Sequence, residues 1–267
     1  MKHRRDAIVL CCLTAASLGG CGVSRGTLLT LASPGAWKPA AVATWQIQLV
    51  GAVDTSPDVQ MFDVDLFDVD ASTVATLHQK GAKVVCYTSA GTYEDWRPDA
   101  GSFPASVQGG GNGWPGEKWL DIRAIDLLGP IMKARLDLCR GKGFDGVDAD
   151  NVDGYTNTTG FPLSAADQLA YNRFLASEAH ARGLSIGLKN DVAQAADLLG
   201  DFDWGLNEQC FEFNECNLLQ PFVDAGNAVF QIEYNLDTSA FCPQANALNF
   251  NSMKKNLNLD APRWPCR

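Results

Sequence analysis

The sequence predicts an α/β protein that folds as a single (β/α)₈ (TIM) barrel. Short apolar segments alternate with segments whose apolar residues recur at helical spacing, an order typical of a parallel sheet covered by helices. Polar side chains repeatedly follow the apolar segments, at the strand ends where barrels carry their active sites. Without its first 20 residues the chain has 247, close to the usual length of such a barrel. An open doubly wound sheet is the less economical alternative.

The N-terminus predicts export. Residues 1–5 are basic and residues 7–18 are mainly small and apolar, in a run too short to cross a bilayer. Residues 1–20 therefore read as a signal peptide. The sequence Leu-Gly-Gly-Cys that ends at Cys21 resembles a bacterial lipobox, in which Cys21 becomes the lipidated first residue of the mature chain. An ordinary signal peptide followed by a chance cysteine is the alternative.

The strands of the barrel follow a tether. Residues 21–38 are rich in Gly, Ser, Thr, Pro and Ala and predict a flexible tether, so the barrel occupies residues 39–267. Strict alternation identifies the first strand, and a nearly continuous apolar run identifies the third as a strand covered on both faces. The fifth has polar Lys189 and Asn190 at its carboxyl end. The eight predicted strands lie at 43–49, 59–68, 83–89, 144–147, 184–190, 203–209, 228–234 and, weakly, within 247–256.

Helical spacing and capping residues identify the helices between the strands. In the second helix, apolar residues recur at steps of three and four until Gly141 or Gly143 ends it. Ser164 and Asp167 form a variant capping box that opens the third, which ends before Gly183. The predicted helices span residues 71–80, 124–140, 164–182 and about 193–199.

A long loop over residues 90–119 carries four aromatic residues, Tyr93, Trp96, Trp114 and Trp119. Loops of this length inside a compact domain are functional or mobile. Two uses of the aromatic rings stay equally open: stacking on sugars, and packing over the mouth of the barrel.

The polar cluster at residues 143–155, where the fourth strand ends, contains four aspartates and an asparagine. A period of two places Asp148 and Asp150 on one face, so both carboxylates point into the same crevice. A calcium loop is disfavoured because Asp153 stands where that loop needs glycine. Capping accounts for Asp145 and Asp153 but not for all four aspartates. Asp148 and Asp150 therefore predict a catalytic or sugar-binding role.

The chemistry available at the strand ends is carboxylate chemistry. The sequence has no dinucleotide, phosphate-loop or zinc-protease motif, so we predict no cofactor and no metal site. His78 and His180 lie on helices, which argues against a histidine-based triad. Two facing carboxylates are what hydrolysis of a glycosidic bond needs, and we choose Asp150 and Glu208. The full set of candidate carboxylates is Asp63, Asp65, Asp148, Asp150, Glu208 and Glu233.

The net charge of the chain limits which macromolecules it can bind. Of the 21 basic and 31 acidic residues, three basic and one acidic lie in residues 1–20, which leaves a net charge of about −12. Such a surface repels nucleic acid and attracts a cationic polymer. We expect a monomer with no nucleic-acid partner, which contacts a membrane only through a lipid anchor.

The cysteine content predicts disulfides. Six of the nine cysteines follow Cys21, an even number in an exported chain. Closeness in sequence pairs Cys210 with Cys216 and Cys242 with Cys266. The remaining two, Cys86 and Cys139, lie on an apolar strand and an apolar helix face, where buried thiols explain them equally well.

Six motifs, taken in order, resemble a known family. They are Trp45-Gln-Ile-Gln48, Phe62-Asp-Val-Asp-Leu-Phe-Asp68, Cys86-Tyr-Thr-Ser-Ala-Gly91, Trp119-Leu-Asp-Ile-Arg123, the aspartate-rich Gly143 to Gly154, and Asn207-Glu-Gln-Cys210. Together they resemble glycoside hydrolase family 114, the secreted endo-α-1,4-polygalactosaminidases, from about Trp37 to Arg267. The resemblance implies a (β/α)₈ barrel that acts on a partly deacetylated, cationic galactosaminoglycan.

The resemblance also implies roles for individual residues. Asp150 is the nucleophile of a retaining mechanism and Glu208 the acid/base, with Asp148 as the alternative nucleophile. The implied sugar site is lined by Asp63, Asp65, Tyr87, Asp148, Lys189, Gln231 and Glu233. Two other functions stay open. One is a glycan-binding barrel without activity, which the complete carboxylate pair disfavours, and the other is a glycosidase for a different α-linked amino sugar.

Overall fold

The computed structural model describes residues 35–267. Strands in this part of the chain are β1 (Trp45–Gln48), β2 (Met61–Asp65), β3 (Lys83–Ser89), β4 (Thr92–Glu94), β5 (Gln108–Gly111), β6 (Glu117–Leu120), β7 (Gly146–Asp150), β8 (Ser185–Lys189), β9 (Trp204–Glu208), β10 (Val229–Glu233), β11 (Asn251–Lys255) and β12 (Arg263–Pro265). Nine of them form one sheet in the order β1-β2-β3-β7-β8-β9-β10-β11-β12. Every pairing is parallel except that of β11 with β12. The predicted barrel fold is confirmed.

Helices cover the outside of this sheet. They are α1 (Ala71–Gln79), α2 (Ile125–Lys142), α3 (Ala165–Ala181), α4 (Ala195–Leu198), α5 (Gln220–Asp224) and α6 (Thr238–Ala247). The predicted capping box opens α3, where the Ser164 hydroxyl accepts from Asp167 N and the Asp167 carboxylate accepts from Ser164 N. Gly143, in the left-handed conformation at φ 93°, ends α2 as expected.

Alternation along the strands separates two apolar cores. Residues facing the helices, such as Val147 and Ile186, belong to the larger core. Residues facing the barrel axis, such as Trp204 and Phe230, form a smaller core that fills the lower part of the interior. Gly187 makes this core possible, because a Cβ there would lie 2.2 Å from the Trp204 ring. The site is therefore restricted to the upper ends of the strands.

The seam beside β1 closes the barrel. Asn251 on β11 accepts from Trp45 Nε1 through its carbonyl, at 2.8 Å, and from Ala43 N through its side chain, at 3.0 Å. Leu49 N donates to Leu259 O at 2.9 Å, so the C-terminal segment also lies against β1. Contacts begin before residue 39, since Trp37 packs against the inner core.

The segment predicted as one long loop contains secondary structure. β4, β6 and β5 form a small antiparallel sheet that stands beyond the end of β3. Two turns of 3₁₀ helix, Ala100–Ser102 and Ala105–Val107, complete the segment. The expectation of an irregular loop is thus corrected.

Three disulfides tie these elements together. Cys210–Cys216 and Cys242–Cys266 are both present, as the sequence spacing predicted. A third joins Cys86 on β3 to Cys139 on α2, with 6.1 Å between their Cα atoms. These two residues are not free thiols, because the apolar face of α2 packs directly on β3.

The N-terminal predictions lie outside the described residues. These are the signal peptide at residues 1–20, the lipidation of Cys21 and most of the tether at residues 21–38. Within residues 35–267, no helix is both long and apolar enough to span a membrane.

Candidate active site

A cavity of about 740 Å³ opens at the carboxyl ends of the strands. Its floor is made by side chains at the ends of β2, β3, β7, β8 and β9, and the segment that contains β4 to β6 forms one wall. Four predicted site residues at its floor and side are Tyr87, Asp150, Lys189 and Glu208, and Asp65 also lines it. Five of the predicted site residues therefore meet at one cavity.

Asp150 ends β7 and is held by hydrogen bonds from two directions. Its Oδ2 accepts from the Tyr87 hydroxyl at 2.9 Å, and its Oδ1 accepts from Asn151 N at 2.7 Å. Its backbone carbonyl accepts from Ala90 N and Gly91 N. A side chain at Gly91 would collide with this turn, since a Cβ there would lie 1.6 Å from Asn151 O. The position of the Asp150 carboxylate is therefore fixed by β3.

Lys189, at the end of β8, is the cation shared by the acids of the floor. Its Nζ lies 3.5 Å from Asp148, 3.5 Å from Asp150 and 3.8 Å from Glu208. Burial alone would lower the pKa of the Lys189 ammonium, but the charges of these three carboxylates outweigh burial and hold that pKa well above its usual value. Lys189 is therefore a permanent positive charge between Asp150 and Glu208.

Glu208 ends β9 on the other side of Lys189. Its Oε1 accepts from the Tyr234 hydroxyl and its Oε2 accepts from Asn190 Nδ2 at 3.3 Å. The Asn190 side-chain oxygen in turn accepts from Glu208 N at 2.9 Å. Burial, followed by the negative charge of Glu208, raises the pKa of Tyr234 well above its usual value, so Tyr234 is a hydrogen-bond donor to the carboxylate.

One backbone feature recurs at these three strand ends. The residues that directly follow Asp150, Lys189 and Glu208 all have left-handed backbone conformations, with φ 61° at Asn151, 50° at Asn190 and 66° at Gln209. None of the three is glycine, and such angles are uncommon for other residues, although asparagine tolerates them best. The chain turns sharply after each site residue, which leaves its side chain at the mouth of the barrel.

Asp63 and Asp148 lie one pleat below the cavity. They precede Asp65 and Asp150 by two residues on the same faces of β2 and β7, and both are fully buried. Burial raises the pKa of Asp148 to about 6, and the charges of Asp150 and Glu208 act in the same direction against that of Lys189. Neither carboxylate lines the cavity, so the expectation that they touch sugar is corrected.

Gln231 and Glu233 also lie outside the cavity. They alternate on β10 with Phe230 and Ile232, which face the barrel axis, and so they point towards the surrounding layer. There the Glu233 carboxylate accepts from Gln231 Nε2 at 2.8 Å and from Phe211 N at 2.9 Å. Their predicted place in the sugar site is corrected, because the opposite face of β10 points inwards.

The aromatic residues of the cavity wall divide into two groups. Trp96 and Trp114 line the cavity and are half exposed, at 52% and 55%, so their ring surfaces are free to stack. Trp119 is buried, and Tyr93 packs edge-on against Phe103. Tyr93 and Trp119 therefore pack within the wall, and stacking on sugar stays a prediction for Trp96 and Trp114.

Comparison with known proteins identifies the family. The sequence profile of glycoside-hydrolase family GH114 matches residues 26–267, nearly the whole chain. The protein belongs to family GH114. It is therefore a glycoside hydrolase, and the two-carboxylate site at the barrel mouth is of the kind that such enzymes use.

Two solved structures resemble this GH114 barrel. The Ega3 protein of Aspergillus fumigatus, crystallised in complex with galactosamine, is 43% identical and matches 88% of this chain and 99% of its own, with a TM-score of 0.83. The glycoside hydrolase domain of PelA from Pseudomonas aeruginosa is 15% identical, with coverages of 82% and 97% and a TM-score of 0.65, and it supports the fold alone. An uncharacterized protein of Deinococcus radiodurans is 29% identical in an alignment 240 residues long that covers 76% of each of the two chains.

Several residues of the GH114 site escaped the sequence reasoning. Tyr234, Asn151 and Asn190 contact the carboxylates, and Asp153 lines the cavity beside them. Burial, and then the charge of Asp150, raises the pKa of Asp153 to about 6. The available signal was the asparagine that directly follows a strand-terminal aspartate or lysine, since asparagine favours left-handed turns.

Proposed function

We propose that this GH114 member hydrolyses an α-1,4-linked, galactosamine-containing polysaccharide, with Asp150 as nucleophile and Glu208 as acid/base. The observation that carries the proposal is the shared contact of both carboxylates with Lys189, at 3.5 and 3.8 Å. Their side chains are 17% and 22% exposed, whereas that of Asp148 is 0% exposed. A sugar in the cavity can reach Asp150 but not Asp148, which favours Asp150 as the nucleophile.

The contacts of each carboxylate match its proposed role. In a retaining reaction, Asp150 attacks the anomeric carbon while Glu208 protonates the departing oxygen, and Glu208 then accepts a proton from the water that releases the sugar. Hydrogen bonds from Tyr87 and Asn151 N orient the oxygens of Asp150. The Lys189 ammonium lies 3.5 Å from Asp150 and offsets the negative charge of that carboxylate.

The charge of the cavity supports a cationic substrate. Its lining includes seven acidic residues and two basic ones, and both basic residues, Arg97 and Lys189, are already in ion pairs with carboxylates. An ammonium group on the sugar would enter a field of net negative charge. The galactosamine complex of the Aspergillus relative agrees with this preference.

Two amide substitutions test the catalytic pair. Asp150→Asn and Glu208→Gln keep the shapes of the side chains but remove the attacking anion and the proton donor. Each is expected to lower turnover of a partly deacetylated galactosamine polymer by roughly a thousandfold or more, with a smaller effect on binding. Reducing-end release measures turnover, and urea unfolding checks that the variants fold.

Asp148→Asn and azide rescue discriminate between the two candidate nucleophiles. If Asp150 attacks, added azide should restore turnover to Asp150→Gly by taking the place of the carboxylate, and the carboxyl groups in a closed complex should lie about 5 to 5.5 Å apart. Asp150→Asn retaining most turnover while Asp148→Asn loses it would reassign the nucleophile. A wild-type protein that binds the polymer without cleaving it would instead support the glycan-binding alternative.

We also propose that the enzyme acts outside the cytoplasm, held by lipid on Cys21. Three disulfides among the described residues support an oxidising environment. Mass spectrometry of the mature N-terminus is expected to find diacylglyceryl-modified Cys21. A mature chain that starts at another residue with a free amine would reject the anchor and leave export standing.

A further inference from the structure

Beneath the proposed catalytic pair lies a second pair of carboxyl groups, Asp63 of β2 and Asp148 of β7. Both are fully buried and they lie within hydrogen-bonding distance of each other. Three of their four oxygens, both of Asp63 and Oδ1 of Asp148, have no hydrogen-bond donor within residues 35–267. The fourth, Asp148 Oδ2, lies 3.5 Å from Lys189 Nζ.

The surroundings of Asp63 offer no cation of its own. Its partners across the sheet are Ile47 of β1 and Val85 of β3, both apolar. The charged groups that face it are Asp148 and Asp150 from β7 and Lys189 from β8, and Lys189 already serves three other carboxylates. A donor between two carboxyl groups can come from one of the groups itself, because a protonated carboxyl donates whereas an ionised one only accepts.

We infer that Asp63 is a neutral carboxylic acid that donates its proton in a hydrogen bond to Asp148, and that the pair are positioning residues for Lys189. Two ionised carboxylates side by side would repel each other, whereas a pair that shares one proton carries a single charge. That charge, on Asp148, keeps the Lys189 ammonium between Asp150 and Glu208. The positioning role rests on the proposed glycosidase function, but the location of the proton does not.

The direction of the Asp63 pKa shift agrees with its burial beside Asp148. Burial, and next the charge of Asp148, raises the pKa of Asp63 well above its usual value of 3.8. The folded protein then holds a proton that the unfolded chain releases once the pH exceeds about 4. Stability contributed by this site is therefore lost as the pH rises above that value.

Asp63→Asn tests the proton directly. The amide has the shape of the acid and donates a hydrogen bond at every pH, but it cannot lose a proton. Relative to this variant, the unfolding equilibrium constant of the wild type is expected to rise as the pH increases above about 5, by up to roughly tenfold per pH unit, until Asp63 ionises in the folded protein. Urea unfolding of the wild type and of Asp63→Asn over this pH range measures the ratio of their unfolding constants. A ratio that does not change with pH would overturn the inference.

Infrared spectroscopy supplies a second measurement that does not depend on unfolding. The wild type labelled with ¹³C-aspartate is expected to show protonated-carboxyl carbonyl bands at neutral pH from Asp63 and from Asp191, whose pKa burial raises to about 8. Asp63→Asn is expected to lose the Asp63 contribution and keep that of Asp191. Protonated-carboxyl bands that are unchanged in Asp63→Asn would place the proton elsewhere and overturn the assignment.

Turnover measurements distinguish a positioning role of Asp63 from a role in packing alone. Asp63→Asn keeps a donor for Asp148, whereas Asp63→Val has a similar volume and no donor. We expect the valine variant to lose at least about tenfold more turnover than the asparagine variant, the effect of one hydrogen bond to a charged group. Equal losses would overturn the positioning role. A wild type that cleaves no galactosamine polymer would defeat the proposed function, while the unfolding and infrared measurements would still locate the proton.

Discussion

Two ionic clusters are buried near the carboxyl ends of the strands, and their charge balance differs. The arginine cluster consists of Arg97, Asp65 and Glu94, which line the side of the cavity, and of Arg135 and Asp99, which lie behind them. The lysine cluster, on the cavity floor, consists of Lys189, Asp148, Asp150 and Glu208. Two cations face three acids in the first, whereas one cation faces three acids in the second.

Contact distances follow this balance. Arg97 reaches Asp65 at 2.7 Å and Glu94 at 2.8 Å, and Arg135 reaches Asp99 at 2.7 Å. One oxygen of the arginine cluster, Glu94 Oε2, accepts no hydrogen bond and lies 3.9 Å from Arg135. In the lysine cluster the closest ion-pair distance is 3.5 Å. The arginine cluster is satisfied except at Glu94, whose pKa burial raises to about 7, and the lysine cluster has the larger excess of negative charge.

This difference in charge balance suits the arginine cluster to stabilising the fold and the lysine cluster to catalysis. A largely satisfied buried network fixes the elements that it joins, here β2, α2 and the segment that carries Trp96 and Trp114. A site with excess negative charge instead favours positive charge that arrives or develops there, such as a sugar ammonium or an oxocarbenium-like transition state. We therefore expect damage to the two clusters to have different consequences.

Breaking the arginine cluster should cause the largest change, a loss of free energy of unfolding. Arg135→Met leaves Asp99 without its partner and removes the 2.6 Å hydrogen bond to Ser89 O. Loss of one partner from a buried ion pair costs about 3 to 5 kcal/mol, which urea unfolding measures. Turnover per folded molecule should stay close to the wild-type value, since Arg135 does not line the cavity.

Arg173→Met is the matched control for this change. Its pair with Asp201, at 3.1 Å, is about half exposed, and such pairs contribute roughly 0 to 1 kcal/mol. If Arg135→Met were no more destabilising than Arg173→Met, the arginine cluster would not be the support that we describe.

Breaking the lysine cluster should reduce turnover as well as stability, because Lys189 is itself the buried partner of Asp148. Lys189→Met keeps the length of the side chain but leaves Asp148, Asp150 and Glu208 without the cation that they share. We expect turnover to fall by roughly a hundredfold or more, about 2.7 kcal/mol of transition-state stabilisation. A variant that lost stability and kept turnover would contradict the contrast between the clusters.

The fold was largely predictable because strand patterns are local. All eight barrel strands fall where alternation or apolar runs placed them, with shifted ends. The small sheet was missed because its strands are short and β5, Gln108–Gly111, contains three glycines and no apolar alternation. The Cys86–Cys139 bond was not predicted because it links residues 53 positions apart, brought together only when α2 packs on β3.

The sequence predicted which residues lie at the carboxyl ends of the strands. It did not predict which face of each strand points towards the barrel axis. The family resemblance implied that Gln231 and Glu233 line the sugar site. In a barrel, however, the lower interior is apolar, so the face of Phe230 and Ile232 points inwards and ends at Tyr234. The contacts of Lys189 depend on the register of three parallel strands, which no local pattern encodes.

Asn190 gives the smallest expected effect and separates backbone conformation from side-chain contact within the lysine cluster. Asn190→Gly retains the left-handed conformation without strain but loses the amide that bonds Glu208 at 2.9 and 3.3 Å. Asn190→Ala loses the same amide and adds strain of about 1 to 2 kcal/mol. The two variants should therefore lose turnover equally, by about three- to tenfold for a lost hydrogen bond, while only alanine lowers the urea midpoint further. If turnover instead followed stability, the turn at φ 50° would position Glu208 and the amide would not.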